Sequence, residues 1–108
     1  MEYRKFETFE AFWPYYLSEH ASTLNRRLHF IGTSLVIALA FAALAEPSVL
    51  IAIPLVGYGF AWAGHFIIER NRPATLKHPL WSLFGDFRMF GLMLIGRLEP
   101  HLERAGVR

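Results

Sequence analysis

The chain contains no cysteine. A disulfide framework, a thiolate metal site and a cysteine nucleophile are therefore all excluded. Charge is also scarce: charged residues make up 19% of the 108 residues, while apolar residues make up 54%. The net charge of +2 forms no basic stripe, so nucleic acid is excluded as a partner. The opening residues, Met-Glu-Tyr-Arg-Lys-Phe-Glu, are charged and aromatic and lack the apolar stretch of a signal peptide. No repeat or low-complexity segment is visible, and the length suits a single domain over residues 1–108.

Charge is most conspicuously missing from two internal runs. Phe30 to Ala45 is 16 residues without an ionisable group, and Val49 to Ile68 is 20 residues with His65 as its only one. Each approaches the roughly 20 residues that a membrane-spanning helix needs. Glu46-Pro47-Ser48 separates them, which predicts a helical hairpin over approximately 29–45 and 49–68. Lys and Arg number four before residue 29, none in the turn, and seven after residue 69. If both runs span, that bias places both termini in the cytoplasm and the turn outside, as in a multi-pass membrane protein. Small residues at helical spacing, Ser34, Ala38 and Ala42 on one run and Gly57, Ala61 and Gly64 on the other, allow the two helices to approach closely.

The flanks are amphipathic. Residues 6–17 carry six aromatics with Glu7 and Glu10, which reads as an interfacial helix in an aromatic belt, interrupted near Pro14. Residues 80–97 are apolar but contain Asp86, Arg88 and Arg97. They are expected to form a third, membrane-associated helix, with Asp86 and Arg88 as a candidate pair. The tail from Glu99 is polar and reads as frayed, with His101 in it. The expected fold is all-α: an integral membrane hairpin with flanking membrane-associated helices.

The polar residues gather at the open end of that hairpin. Folding about Pro47 brings His29 level with His65. Asn25 and His29 share a helix face, as do His65 and Glu69. His20, nine residues before His29, points the wrong way on a continuous helix. It can join only if the chain bends, and Ser22 and Thr23 are suitable N-caps for a helix starting anew. His78 precedes Pro79, which favours a non-helical loop able to fold back over the site. Imidazoles plus a carboxylate suit non-haem Fe(II), Mn or Zn. The candidate ligands are His20, His29, His65, Glu69 and His78, with Asp86 as a second carboxylate and Asn25 orienting a ligand from behind. Arg72, Arg26 or Arg27 can hold a substrate carboxylate. A haem-binding electron carrier and a non-catalytic membrane scaffold are the competing readings of the same histidines.

The motifs His20-x4-Asn25-x3-His29, Trp62-x-Gly64-His65-x3-Glu69 and Arg72-Pro73-Ala74 resemble the small membrane family typified by the fungal 2-hydroxy fatty acid dioxygenase. The resemblance covers roughly residues 15–96 and is to the short, bacterial-type members, which implies a bacterial-type inner (cytoplasmic) membrane. It implies an Fe(2+)-dependent, membrane-embedded enzyme that shortens 2-hydroxy fatty acids by one carbon with O2, a step of fatty acid alpha-oxidation. It also implies His20, His29 and His65 as iron ligands or their immediate neighbours, with Glu69 in the motif and His78 outside the longer fungal pattern. The partners implied are membrane lipid, a fatty-acid-like substrate and O2; homo-oligomerisation is left open.

Overall fold

The computed structural model describes residues 6–72 and 78–107. Pro73 to Lys77, which include part of the Arg72-Pro73-Ala74 motif and of the loop expected over the site, lie outside the described residues. All regular structure among the described residues is helical, in the order α1 (Phe9–Ser18), α2 (Thr23–Ala42), a 3-10 segment (Pro47–Ile51), α3 (Ala52–Trp62), a π-helical segment (Ala63–Glu69), α4 (Pro79–Leu94) and α5 (Glu99–Arg104).

Thr8 opens α1, its side chain accepting the Ala11 N–H. The helix runs through Pro14 without interruption. Much of the aromatic face expected in an interfacial belt is turned into the protein. Phe12, Trp13, Tyr16 and Leu17 are buried with Met89 of α4 and with Leu98 and Leu102 at the C-terminal end, and together they form the core. Five aromatics in ten residues give α1 a large apolar area, and burying much of it against α4 and α5 removes it from water.

The tail is likewise not frayed. Pro100 stands in the first turn of α5, Leu102 is fully buried, and His101 accepts a hydrogen bond from the Trp13 indole at 3.0 Å. The side chains of Asp86 and Arg88 also part company. Arg88 lies over the Trp13 ring at 4.7 Å and reaches Glu10 at 3.3 Å, whereas Asp86 accepts from the Tyr16 hydroxyl.

α2 and α3 pack side by side. Gly32 meets Phe60 and Val36 meets Gly57, so residue numbers rise along one helix as they fall along the other, and the pair is antiparallel. The second arm is not one continuous α-helix. It starts as a 3-10 turn at Pro47, becomes α at Ala52 and widens into a π-helix at Ala63. Pro54 stands in the first turn of α3, where its missing N–H costs little. The outward faces of the hairpin are left apolar: Phe41, Leu44, Ile51, Leu55 and Ile67 are each at least 70% exposed. Among the described residues one helix, Pro47–Glu69, is long and apolar enough to cross a membrane, and only 11% of its apolar stretch is buried in the protein.

Candidate metal centre

Three helix ends deliver the histidines. α1 stops at Ser18, and Ser22 caps α2 by accepting the Asn25 N–H. That break supplies the bend that His20 requires. His29 lies in the second turn of α2, and His65 comes from the π-helical segment opposite. All three are buried, and their ligand atoms lie within 4.8 Å of one another. The Nε2 atoms of His20 and His29 are 3.1 Å apart. Ring centroids are separated by 4.4 Å for His20–His29, 4.4 Å for His20–His65 and 5.1 Å for His29–His65.

The outer nitrogens settle the tautomers. His20 Nδ1 donates to the Tyr16 carbonyl at 2.7 Å and His29 Nδ1 to the Asn25 carbonyl at 3.0 Å; a carbonyl can only accept. His65 Nδ1 donates to Asn71 Oδ1 at 2.8 Å, an assignment fixed because the Asn71 amide nitrogen donates to the Glu19 carbonyl at 3.1 Å. Each ring therefore carries its proton outside and turns an Nε2 lone pair inward. Burial, followed by the neighbouring His29 and His65, holds His20 well below the ordinary histidine range, so it is neutral near pH 7. Two lone pairs facing each other at 3.1 Å repel unless a cation lies between them. Two nitrogens each about 2.1 Å from one ion and at right angles to it stand about 3 Å apart. The donor set thus fits a borderline divalent ion such as Fe(II), Mn(II) or Zn(II).

The backing of this cluster is close-packed. Asn25 Oδ1 is buried beside it without a hydrogen-bond partner. Only a glycine permits that placement, since a Cβ on Gly64 would stand 1.7 Å from Asn25 Oδ1. Glu69 is not part of the histidine cluster. Its Oε2 accepts from the Ser22 N–H at 2.6 Å and from the Asn25 amide at 3.1 Å, tying the end of the π-helical segment to the start of α2. His78 is also outside it: non-helical as expected, it stacks on Trp81 and packs against Phe6 and Phe12. Arg26 is buried and donates to the carbonyls of His20 at 2.7 Å and Ala21 at 2.9 Å, holding the α1–α2 turn. Arg27 is exposed, and Arg72 is exposed in a surface recess with Arg70 and Asn71.

Beside the histidines a cleft of about 230 Å³ opens between α2, α3 and α4. It runs from His29 past Thr33 to Val36, about 10 Å along α2. Gly57 and Phe60 form its second wall, and Leu83, Asp86 and Phe87 its third. None of Arg26, Arg27 and Arg72 lines it. Asp86 is joined to the cluster by Tyr16, whose hydroxyl donates to Asp86 Oδ1 and whose ring stacks on His20 at 4.1 Å. Burial raises the Asp86 carboxyl to about 6, against the opposing pull of the Tyr16 hydrogen bond. Burial, then the Asp86 charge, pushes the Tyr16 phenol well above its usual value.

The sequence reading missed Asn71, Tyr16 and the place of Asp86 in the cleft. No residue pattern signals Asn71, because a left-handed Arg70 (φ 58°) is what turns it back towards His65. No curated protein and no solved structure matches the chain. A family match does exist and spans α1 to the end of α4, with all three histidines, Glu69 and Asp86 inside it. Over residues 6–98, the chain belongs to the 2-hydroxy-palmitic acid dioxygenase Mpo1-like family.

Proposed function

We propose that the protein is an Fe(II)-dependent dioxygenase that shortens 2-hydroxy fatty acids by one carbon at the cytoplasmic face of a membrane. The observation that carries this reading is the convergence of three imidazoles, each held from behind by an oxygen acceptor, one of which, His29, opens onto an apolar cleft. The family supports the substrate class. The exposed apolar faces of the hairpin and the single helix among the described residues long and apolar enough to cross, Pro47–Glu69, support a membrane setting, in which α2 would lie beside that helix.

A bound ferrous ion would supply the activation of O2. His20, His29 and His65 would hold it, and their Nδ1 hydrogen bonds keep the three rings aimed while substrate enters. The walls of Val36, Gly57, Phe60 and Phe87 take the acyl chain and exclude water from the reacting carbons. The chemistry breaks the C1–C2 bond. A 2-hydroxy acid and one O2 balance to the acid one carbon shorter, one CO2 and one water. Three rings packed at 4.4 to 5.1 Å leave no space for a porphyrin between any two of them, which disfavours the electron-carrier reading.

The test is purification in detergent, measurement of bound metal, and incubation with 2-hydroxypalmitate under air. Bound iron and a product one carbon shorter are expected, both lost in His29→Ala and His65→Ala. A wild-type protein that binds no iron, or variants that keep it, would overturn the proposal.

A further inference from the structure

Asp86 is the one carboxylate lining the cleft, and it shares that lining with His29. The Tyr16 hydroxyl satisfies its Oδ1, while among the described residues no donor meets its second oxygen. A carboxylate in an apolar surrounding is costly unless hydrogen bonds compensate it. Its position is not arbitrary either. The Tyr16 ring is stacked on His20, and the His20 Nδ1–H donates to the Tyr16 carbonyl, so one rigid residue sets the carboxylate against the imidazole cluster. A cleft that sets His29, one carboxylate and the hydroxyls of Thr33 and Tyr58 among apolar side chains matches a molecule with an apolar tail and a hydroxyl next to its reacting carbon. Resting on the dioxygenase reading above, we infer that the second oxygen of Asp86 accepts the hydrogen bond of the substrate's 2-hydroxyl and thereby distinguishes 2-hydroxy acids from unsubstituted fatty acids. Tyr16 is the positioning residue for that acceptor.

The physical basis is the asymmetry of polar recognition. A site built to pair with a hydroxyl rejects the analogue lacking it, because the buried acceptor is then left unpaired. A plain fatty acid would slide into the same walls and leave Asp86 facing methylene. The carboxylate is ionised above about pH 6, the form that can only accept.

The test is calorimetric titration of the full protein in detergent, without oxygen, with 2-hydroxypalmitate and with palmitate, in iron-loaded and metal-free forms. The metal-free form separates recognition by Asp86 from chelation of the hydroxyl by the ion. Wild type is expected to prefer the 2-hydroxy acid by roughly tenfold even without metal, about the value of one net hydrogen bond. Asp86→Leu keeps the approximate volume and removes both oxygens. It should lose most of that preference. Asp86→Glu, which retains an acceptor, should recover part of it, and iron content and melting temperature check that each variant is folded. No preference in metal-free wild type, or an undiminished preference in Asp86→Leu, would overturn the inference. Turnover of wild type under air is read separately, so failure of the reaction and failure of this recognition are told apart.

Discussion

Asn71 holds His65 from behind: its side-chain oxygen accepts the His65 Nδ1–H at 2.8 Å, while its amide is anchored on the Glu19 carbonyl at 3.1 Å. His65 is thereby clamped between the π-helical segment and the end of α1. Removing such a partner frees the ring and its tautomer. Asn71→Ala should lower metal affinity by roughly 10- to 100-fold while leaving the helical content unchanged. Competition with a calibrated chelator measures it, and an affinity equal to wild type would show that His65 needs no such support.

Gly64 predicts a sharper loss. A methyl group there overlaps Asn25 Oδ1 and crowds His29, so either α2 moves away or Asn25 rotates and releases Glu69. Gly64→Ala should cost about 1–3 kcal/mol of stability, the usual penalty of overpacking. It should also reduce bound metal. Thermal melts and metal analysis together decide this; a variant as stable and as loaded as wild type contradicts the close approach of the two helices.

Gly57 predicts a change in chain-length preference. It lines the cleft opposite Val36, and an added Cβ would come within 3.3 Å of that side chain. Gly57→Leu should fill the part of the cleft remote from His29. Activity on long 2-hydroxy acids should fall about tenfold or more, while short ones, which do not reach Val36, are turned over as before. Competition between acids of different length is the assay, and a uniform loss at all lengths would place the acyl chain elsewhere.

The raised Asp86 carboxyl predicts a pH-dependent stability in the metal-free protein. Its folded value of about 6 lies above the ordinary 3.8, so the folded state binds that proton more tightly. The contribution is fully present below about pH 4 and is lost as pH rises through 6. It amounts to about 3 kcal/mol at 1.36 kcal/mol per unit. His20, held low, acts in the opposite sense: its contribution is present above pH 6.5 and fades as pH falls below that value. Comparison with Asp86→Asn isolates the first effect. The variant should gain stability relative to wild type between pH 4 and pH 7. Unfolding curves across that range that keep a constant offset would sink the assignment.

The histidine cluster was legible because it follows from chain arithmetic. A short turn at Pro47 makes His29 and His65 level, and a nine-residue spacing with Ser22 between forces the bend that admits His20. The contribution of Asn71 was not legible, since an arginine in the left-handed region carries no local signature. Nor was the place of α1 as the core. Six aromatics near two glutamates fit an interfacial belt equally well until α5 supplies Leu102 to pack against. Glu69 was singled out for its carboxylate, yet its geometry is that of a clasp between two helix ends, a role that helical spacing from His65 cannot distinguish from ligation.

The widened helix from Ala63 to Glu69 makes the site sensitive to chain length in a way that no side chain reveals. Each residue of an ordinary α-helix advances about 100° around the axis. Deleting a single alanine or phenylalanine there, so that the segment tightens, would swing Glu69 or His65 away from α2 by about that angle. Ala63, Phe66, Ile67 and Ile68 can exchange one apolar side chain for another, yet the segment would not tolerate the loss of one peptide unit. Across related chains, those four positions should vary in letters while the segment stays constant in count.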